Sequence, residues 1–510
     1  MKSTGILFFA AMIALLTLPL PAIAEEALPG DEIPPRPEQL RFRESPFRIP
    51  DGNAYRHTLP GGVVVYVVED HALPLVDVSV ILRVGGFLDP PGNPGLIELT
   101  AAMLPLGGAG ERSAEEFDDE ADLLAVQLSS SAGARRADAE MNCIIPVLDQ
   151  ALDLFFDMLR RPRFQQHRLE IEKSRRLEAF AQRNDEVRSL GDREWGWLLY
   201  GEDYFATRAV TRADLEGIHR RDLIDAHERY WRPRNMIFAV SGDVATAAIL
   251  AELTRRLDAW EGTGEEVPWP PPLPDHRPRP GLVHVGKDLP QGAVWLGQLT
   301  RRWDDWADPD REAVEVMNSI LGGGGFNSRL LNRMRADEGL VYSARSRVNL
   351  DPFQPGAFVI SFQTQSPTVA LATRIALEEV RRIRREPVAR DELVLAKRSL
   401  IDRLPRDFET PQRMVRRFAE DAYLDRPHAT SQSRRERIEG VTVEDVQRVA
   451  ARYLDPDAML LLVVGAWDKI APGDADRRSS MKDFFEGRVE HLPWRDPLTL
   501  EAVSTNQPER

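Results

Sequence analysis

Arg335 and Tyr342 stand seven residues apart in LGGGGFNSRLLNRMRADEGLVYSAR, residues 321–345. An arginine carries a fixed fork of N–H donors that grips carbonyl or carboxylate oxygens. A tyrosine hydroxyl donates to an oxygen on which negative charge is growing. The two act together only if the chain between them turns back on itself. Gly322, Gly323, Gly324 and Gly325 permit a bend that other residues resist. Phe326-Asn327-Ser328 then leads into an apolar-periodic run through Leu330, Leu331 and Met334. Gly339 is a helix stop, and Leu340-Val341-Tyr342-Ser343 has the β-branched and aromatic content of a strand. Arg335 is therefore expected near the end of a short helix and Tyr342 on the strand after it, where both can face one site. Taken as residues alone, the glycines also fit a close helix-packing loop, and Arg335 a solvated helix face. A phosphate loop does not fit, because no Gly-Lys-Ser/Thr follows the glycines.

LGGGGFNSRL followed by MRADEGLVYSA closely resembles the C-terminal-domain signature of the insulinase/pitrilysin family, the inverted zincins and their mitochondrial processing peptidase relatives. The resemblance implies that Arg335 and Tyr342 reach across a chamber to hold substrate backbone beside a zinc carried by another domain or subunit. It also implies an H-x-x-E-H helix in the N-terminal domain, with two histidines on one face sharing zinc and the glutamate as general base. Here that helix starts PGLIELTAAML, and lining up Gly95-Leu96 with the glycine before the motif puts Glu98, Ala101 and Ala102 where His, Glu and His would stand. Alanine offers neither lone pair nor proton, so the helix is expected neither to hold zinc nor to activate water. Glu178, about 80 residues after Glu98, lies where the resemblance places a third ligand. A lone carboxylate makes no zinc site, and Glu178 equally fits a solvated helical position. Among nine histidines the closest pairs, His219 with His227 and His276 with His284, are eight apart. That is about 12 Å along a helix, too far for a local chelate.

The chain that must position these groups has 510 residues, enough for two to four domains, with 43% hydrophobic and 29% charged residues as in ordinary globular protein. Residues 1–24 read as a secretory signal: Lys2, an apolar run from Ile6 to Leu18, and Ala22-Ile23-Ala24 for cleavage before Glu25. The expected location is outside the cytoplasm, the periplasm if the source is Gram-negative and the medium otherwise. The net charge of −15 argues against nucleic acid or anionic membrane as a partner and leaves cationic peptides open. No later stretch reaches the roughly 18 apolar residues of a membrane helix. The single cysteine, Cys143, allows no intrachain disulfide and reads as core.

Leu215 to Gly242 and Ile438 to Gly465 align without a gap at an offset of 223, each a helix, a turn at proline and an apolar strand ending in glycine. A repeat this long implies two homologous domains rather than a solenoid. The expected plan is an extended arm over 25–53, an N-terminal peptidase-like domain over 54–261, a proline-rich linker over 262–280, a C-terminal peptidase-like domain over 281–470 and a polar tail over 471–510. Strands and helices come in blocks, which favours α+β architecture: in each domain a mainly antiparallel sheet with helices on one face. The resemblance implies that the two domains form half of a clamshell chamber.

Retained Arg335 and Tyr342 beside a lost metal helix point to a silent, substrate-holding subunit of a two-chain zinc peptidase. No cofactor is expected in this chain; zinc is expected in a homologous partner, with peptide as the shared substrate. Two alternatives stand beside this reading, a scaffold subunit of a larger assembly and an active peptidase with unrecognised ligands.

Overall fold

The computed structural model describes residue 36 and residues 47–260 and 266–503; the expected signal segment and most of the arm lie outside the described residues. Residues 49–510 form one compact unit, which holds every element below. No described helix is long and apolar enough to cross a membrane.

The unit contains two six-stranded sheets. The first is built from β1 (Arg56–Thr58), β2 (Val64–Glu69), β3 (Leu75–Leu82), β4 (Gln127–Ala132), β5 (Ala137–Ile144) and β6 (Met236–Gly242), in the order β1-β2-β6-β3-β5-β4. The second is built from β7 (Gly281–Gly286), β8 (Gln291–Leu299), β9 (Val341–Val348), β10 (Ala357–Gln365), β11 (Leu460–Gly465) and β12 (Val489–Leu492), in the order β12-β7-β11-β8-β10-β9. In each, one inner pair is parallel, β2 with β6 and β7 with β11, and the next three pairings are antiparallel. The sheets differ at the outer edge, where β1 runs antiparallel to β2 while β12 runs parallel to β7.

The helices used below are α1 (Leu96–Met103), α2 (Leu148–Arg160), α3 (Gln166–Ala181), α4 (Val187–Tyr200), α5 (Arg220–Tyr230), α6 (Asp310–Asn318), α7 (Pro411–Tyr423) and α8 (Val443–Tyr453). The repeat read from the sequence is a repeat of structure: α5 and β6 in the first copy answer to α8 and β11 in the second. The period-3.6 apolar stripe of α2, Leu152, Phe155, Phe156 and Leu159, is buried against the first sheet.

Each sheet has its own helices on one face, as expected, but the other face is not left to solvent. Val415, Phe418, Ala419 and Tyr423 of α7, from the second half of the chain, pack on Tyr66, Val68, Ile81, Ile237 and Ala239 of the first sheet. Reciprocally, Leu190, Trp195, Leu199 and Tyr200 of α4 pack on Val283, Val285, Trp295, Leu460 and Leu462 of the second sheet. The halves thus exchange helices that are themselves repeat equivalents. Strands covered on both faces must be apolar at every position, which is why β11 is buried throughout and β2 reads as an unbroken valine-rich run. Burying a large apolar side chain stabilises by about 1.5–3 kcal/mol, so the exchange fastens the halves more firmly than the extended proline-rich chain between them.

That chain is itself anchored: Val267 is buried, and the Trp269 ring lies 5.5 Å from Phe353 and under the Arg83 guanidinium. The stretch read as a polar tail supplies β12 and two core side chains, Met481 and Phe484.

Candidate functional site

The glycine tract lies where α6 runs out against β9. A Cβ on Gly322 would stand 2.5 Å from the Ser346 nitrogen and one on Gly324 2.5 Å from the Ser319 carbonyl oxygen. These glycines therefore serve close packing, while Gly325, at φ +64°, makes the turn. A short helix (Arg329–Leu331) opens into a wider turn of π-helix (Asn332–Asp337), and Gly339 at φ +63° releases the chain into β9. The order of elements is the one the spacing predicts.

The arginines of this segment divide sharply by partner. Arg329 is buried and holds both oxygens of Glu392 at 2.7 Å, and Arg333 bonds Glu379 at 2.9 Å and also reaches Glu378. Arg335 makes no ion pair or side-chain hydrogen bond with any described residue. Its guanidinium lies against two rings instead, 5.1 Å from the centroid of Phe326 and 5.1 Å from that of Tyr342. Both rings are open to solvent, Phe326 at 72% and Tyr342 at 85% exposure. Ring faces attract the cation, and no described acceptor takes its side-chain N–H groups. Phe326, the second ring against the guanidinium, has no role in the reading from sequence; an aromatic residue directly after the glycines was its only signal.

On α1 the three positions that the resemblance aligns with a metal motif, Glu98, Ala101 and Ala102, have separate fates. Glu98 accepts from Arg176 of α3 at 2.7 Å, and the same guanidinium bonds Glu172 at 2.8 Å. Glu172 is buried; burial raises its pKa, but the bonds from Arg175 and Arg176 outweigh that and hold it below the usual carboxylate range. Ala101 is fully buried in the first sheet's core, so a side chain there points into packed protein rather than into an open site. Ala102 is half-buried, and Glu178 is exposed. A zinc ion needs three or four lone-pair donors converging on one point. Two alanines, and a carboxylate already held by an arginine, do not fit it. Among the described residues no other group of three or more His, Cys, Asp or Glu side chains is gathered for a metal.

The start of α1 is held by Asp89, which accepts from the Gly95 and Ile97 nitrogens at 2.7 and 2.9 Å. Burial nevertheless pushes its pKa up to about 6. The histidines are spent elsewhere. His227 is buried on the Leu159 carbonyl at 2.9 Å, its pKa pushed down to about 4 by burial, and His71 pairs with Asp243. His284 meets His491 at 2.9 Å across β7 and β12, a contact between residues too distant in sequence for local spacing to reveal.

Residues 217–400 match the sequence profile described as the Peptidase M16 inactive domain. Over 407 residues the chain is 25% identical to a protein of Helicobacter pylori called non-peptidase homolog YmxG, spanning 79% of this chain and 91% of that one. It is 26% identical over 413 residues to a Mycobacterium bovis protein called uncharacterized zinc protease Mb2805c, spanning 78% and 90%. In fold it is similar to the crystal structure of a peptidase M16 inactive domain from Pseudomonas fluorescens, with a TM-score of 0.72 at 23% identity, covering 81% of this chain and 97% of that one.

Proposed function

We propose that this member of the insulinase/pitrilysin family is an exported, catalytically silent subunit that holds peptide substrate for a homologous partner carrying zinc. The observation that carries the reading is the state of Arg335: of the three arginines in the helical turns after the glycines, Arg329 and Arg333 are consumed by carboxylates, while Arg335 stands unpaired beside two exposed rings. In this role the N–H edge of Arg335 takes a carbonyl of an extended peptide. The Tyr342 hydroxyl would donate to the carbonyl oxygen on which charge grows during peptide hydrolysis, for which zinc in the partner would supply activation of water. The zinc chemistry belongs to the partner, since the side chains of α1 do not fit the ion. The relatives' names, one a non-peptidase homologue and one a zinc protease, accord with a fold that has both silent and active forms. Export rests on the signal-like pattern of residues 1–24.

The test is reconstitution with a homologous chain from the same source that keeps H-x-x-E-H. Arg335→Ala and Tyr342→Phe are expected to leave melting and association unchanged, because Tyr342 is exposed and the half-buried Arg335 has no ion pair or side-chain hydrogen bond with a described residue to lose. Each is expected to lower peptide hydrolysis by about 10²-fold or more, the scale on which loss of one oxyanion donor acts. Wild-type rates in both variants would favour the scaffold reading. Stoichiometric zinc and chelator-sensitive hydrolysis by the mature chain alone would overturn the silent-subunit reading.

A further inference from the structure

β9 is the last strand of the second sheet, and its outward positions differ in charge from their counterparts in the first. Arg345 lies opposite Ser361 and Arg347 opposite Val359, while Ala344 and Ser346 face the core with Phe362 and Ile360. A register shift between Phe362 and Thr364 lets Tyr342 join the outward side. Arg345 and Arg347 are exposed, and neither makes an ion pair or side-chain hydrogen bond with any described residue. Arg335 lies against the Tyr342 ring, and Arg345 and Arg347 follow Tyr342 along the strand as a strip of two further unpaired guanidinium groups.

The equivalent edge of the first sheet, β4, carries Gln127, Ser129 and Ser131 outward. The acids beside it are occupied, Asp77 by Asn142 and Gln412 and Glu140 by Arg416. The outward side chains of the edge strand itself are therefore uncharged in the first half and cationic in the second. The chain as a whole carries −15, so its overall field favours basic peptides. The strip reverses that preference locally, on the strand that carries Tyr342.

We propose that the outer face of β9 selects substrate peptides bearing acidic side chains at alternate positions. Arg345 and Arg347 are two residues apart, about 6.7 Å along a strand, which is the repeat of same-side side chains in an extended peptide. A guanidinium fork meets a carboxylate with two parallel bonds, so the match is one of geometry as well as charge. The proposal rests on the substrate-holding reading of Arg335 and Tyr342 and gives that reading a substrate class.

The test uses the mature chain and short rhodamine-labelled peptides, with binding read by fluorescence anisotropy. One peptide carries Glu-Ala-Glu; its controls carry Gln-Ala-Gln, Lys-Ala-Lys and adjacent Glu-Glu. Exposed ion pairs are individually weak, so the Glu-Ala-Glu peptide is expected to bind about tenfold more tightly than the glutamine control at low salt. The advantage should shrink as salt shortens the screening length to about 8 Å. In the double variant Arg345→Glu, Arg347→Glu it should pass to the lysine peptide, with melting unchanged. Equal binding of the Glu and Gln peptides, no detectable binding of the Glu-Ala-Glu peptide, or a preference that survives the double variant would overturn the proposal. Arg335→Ala separates the two readings: it should weaken all four peptides alike. If it weakens none while the acidic preference stands, the clamp reading fails and the selectivity belongs to β9 alone.

Discussion

Arg176 and Glu98 meet at 2.7 Å between α3 and α1, on the helix that the family resemblance aligns with a zinc motif. The contact is one arm of a fork, since the same guanidinium holds the buried Glu172. An ionic tie therefore joins the two helices that the family resemblance has sharing the metal.

The two arms should not weigh equally. Glu98 is half exposed, so Glu98→Gln is expected to cost less than about 1 kcal/mol. Arg176→Met leaves Glu172 buried with Arg175 alone, and removing one partner of a buried pair costs about 3–5 kcal/mol where nothing compensates. With Arg175 remaining, a loss of about 1–3 kcal/mol is expected in urea unfolding near pH 7. Because the Glu172 pKa is lowered on folding, its contribution is present above the unfolded value of 4.5 and is lost as pH falls through the folded one. The difference between variant and wild type should therefore hold from pH 7 down to about 4.5 and shrink only below it; a difference that does not change with pH would mean Arg176 acts through packing alone.

A second prediction concerns the exchange of helices. A Cβ on Gly191 of α4 would stand 2.0 Å from the Trp295 ring, whose Nε1 donates to Asp192 at 2.9 Å. Gly191→Ala must push α4 off the second sheet, at a cost of about 1–3 kcal/mol or more. Trp295→Leu should relieve the clash, so the double variant should be more stable than the sum of the single losses predicts. Additive losses in thermal melting would show that the helix and sheet do not meet at this point.

How much of this was legible beforehand depends on the range of the interaction. The seven-residue spacing and Gly339 place Arg335 beside Tyr342 because one turn and one strand entry are local events. The stripe of α2 was legible for the same reason, as was the repeat. The exchange of α4 and α7 was not: Leu190, Trp195 and Leu199 make an ordinary apolar face, and nothing in the face names the sheet it will cover. The Arg176 fork was equally hidden, since its partners lie four and 78 residues away and only the fold decides which acids converge. The sequence shows alanine at 101 and 102, but the burial of Ala101 in the core, which closes that side of the helix, could not be read from it.

The last prediction sets two buried groups against each other. His227 is held neutral in the fold, with its pKa near 4 against 6.5 when free, so its stabilisation is full above pH 6.5 and is lost as pH falls through about 4. Asp89 has the opposite sign: its folded pKa of about 6 exceeds the free value of 3.8, so the native state keeps the proton longer and its contribution declines as pH rises between those values. Each shift corresponds to about 3 kcal/mol at roughly 1.4 kcal/mol per pKa unit, so the two slopes nearly cancel between pH 4 and 6. Removing one should expose the other. Asp89→Asn is expected to make stability rise more steeply from pH 4 to 6.5 than in wild type, and His227→Gln to make it rise less or fall. Melting of both variants and wild type at several pH values across that window reads the difference in slope. If both variants run parallel to wild type, neither group titrates between the folded and unfolded states in the way its burial requires.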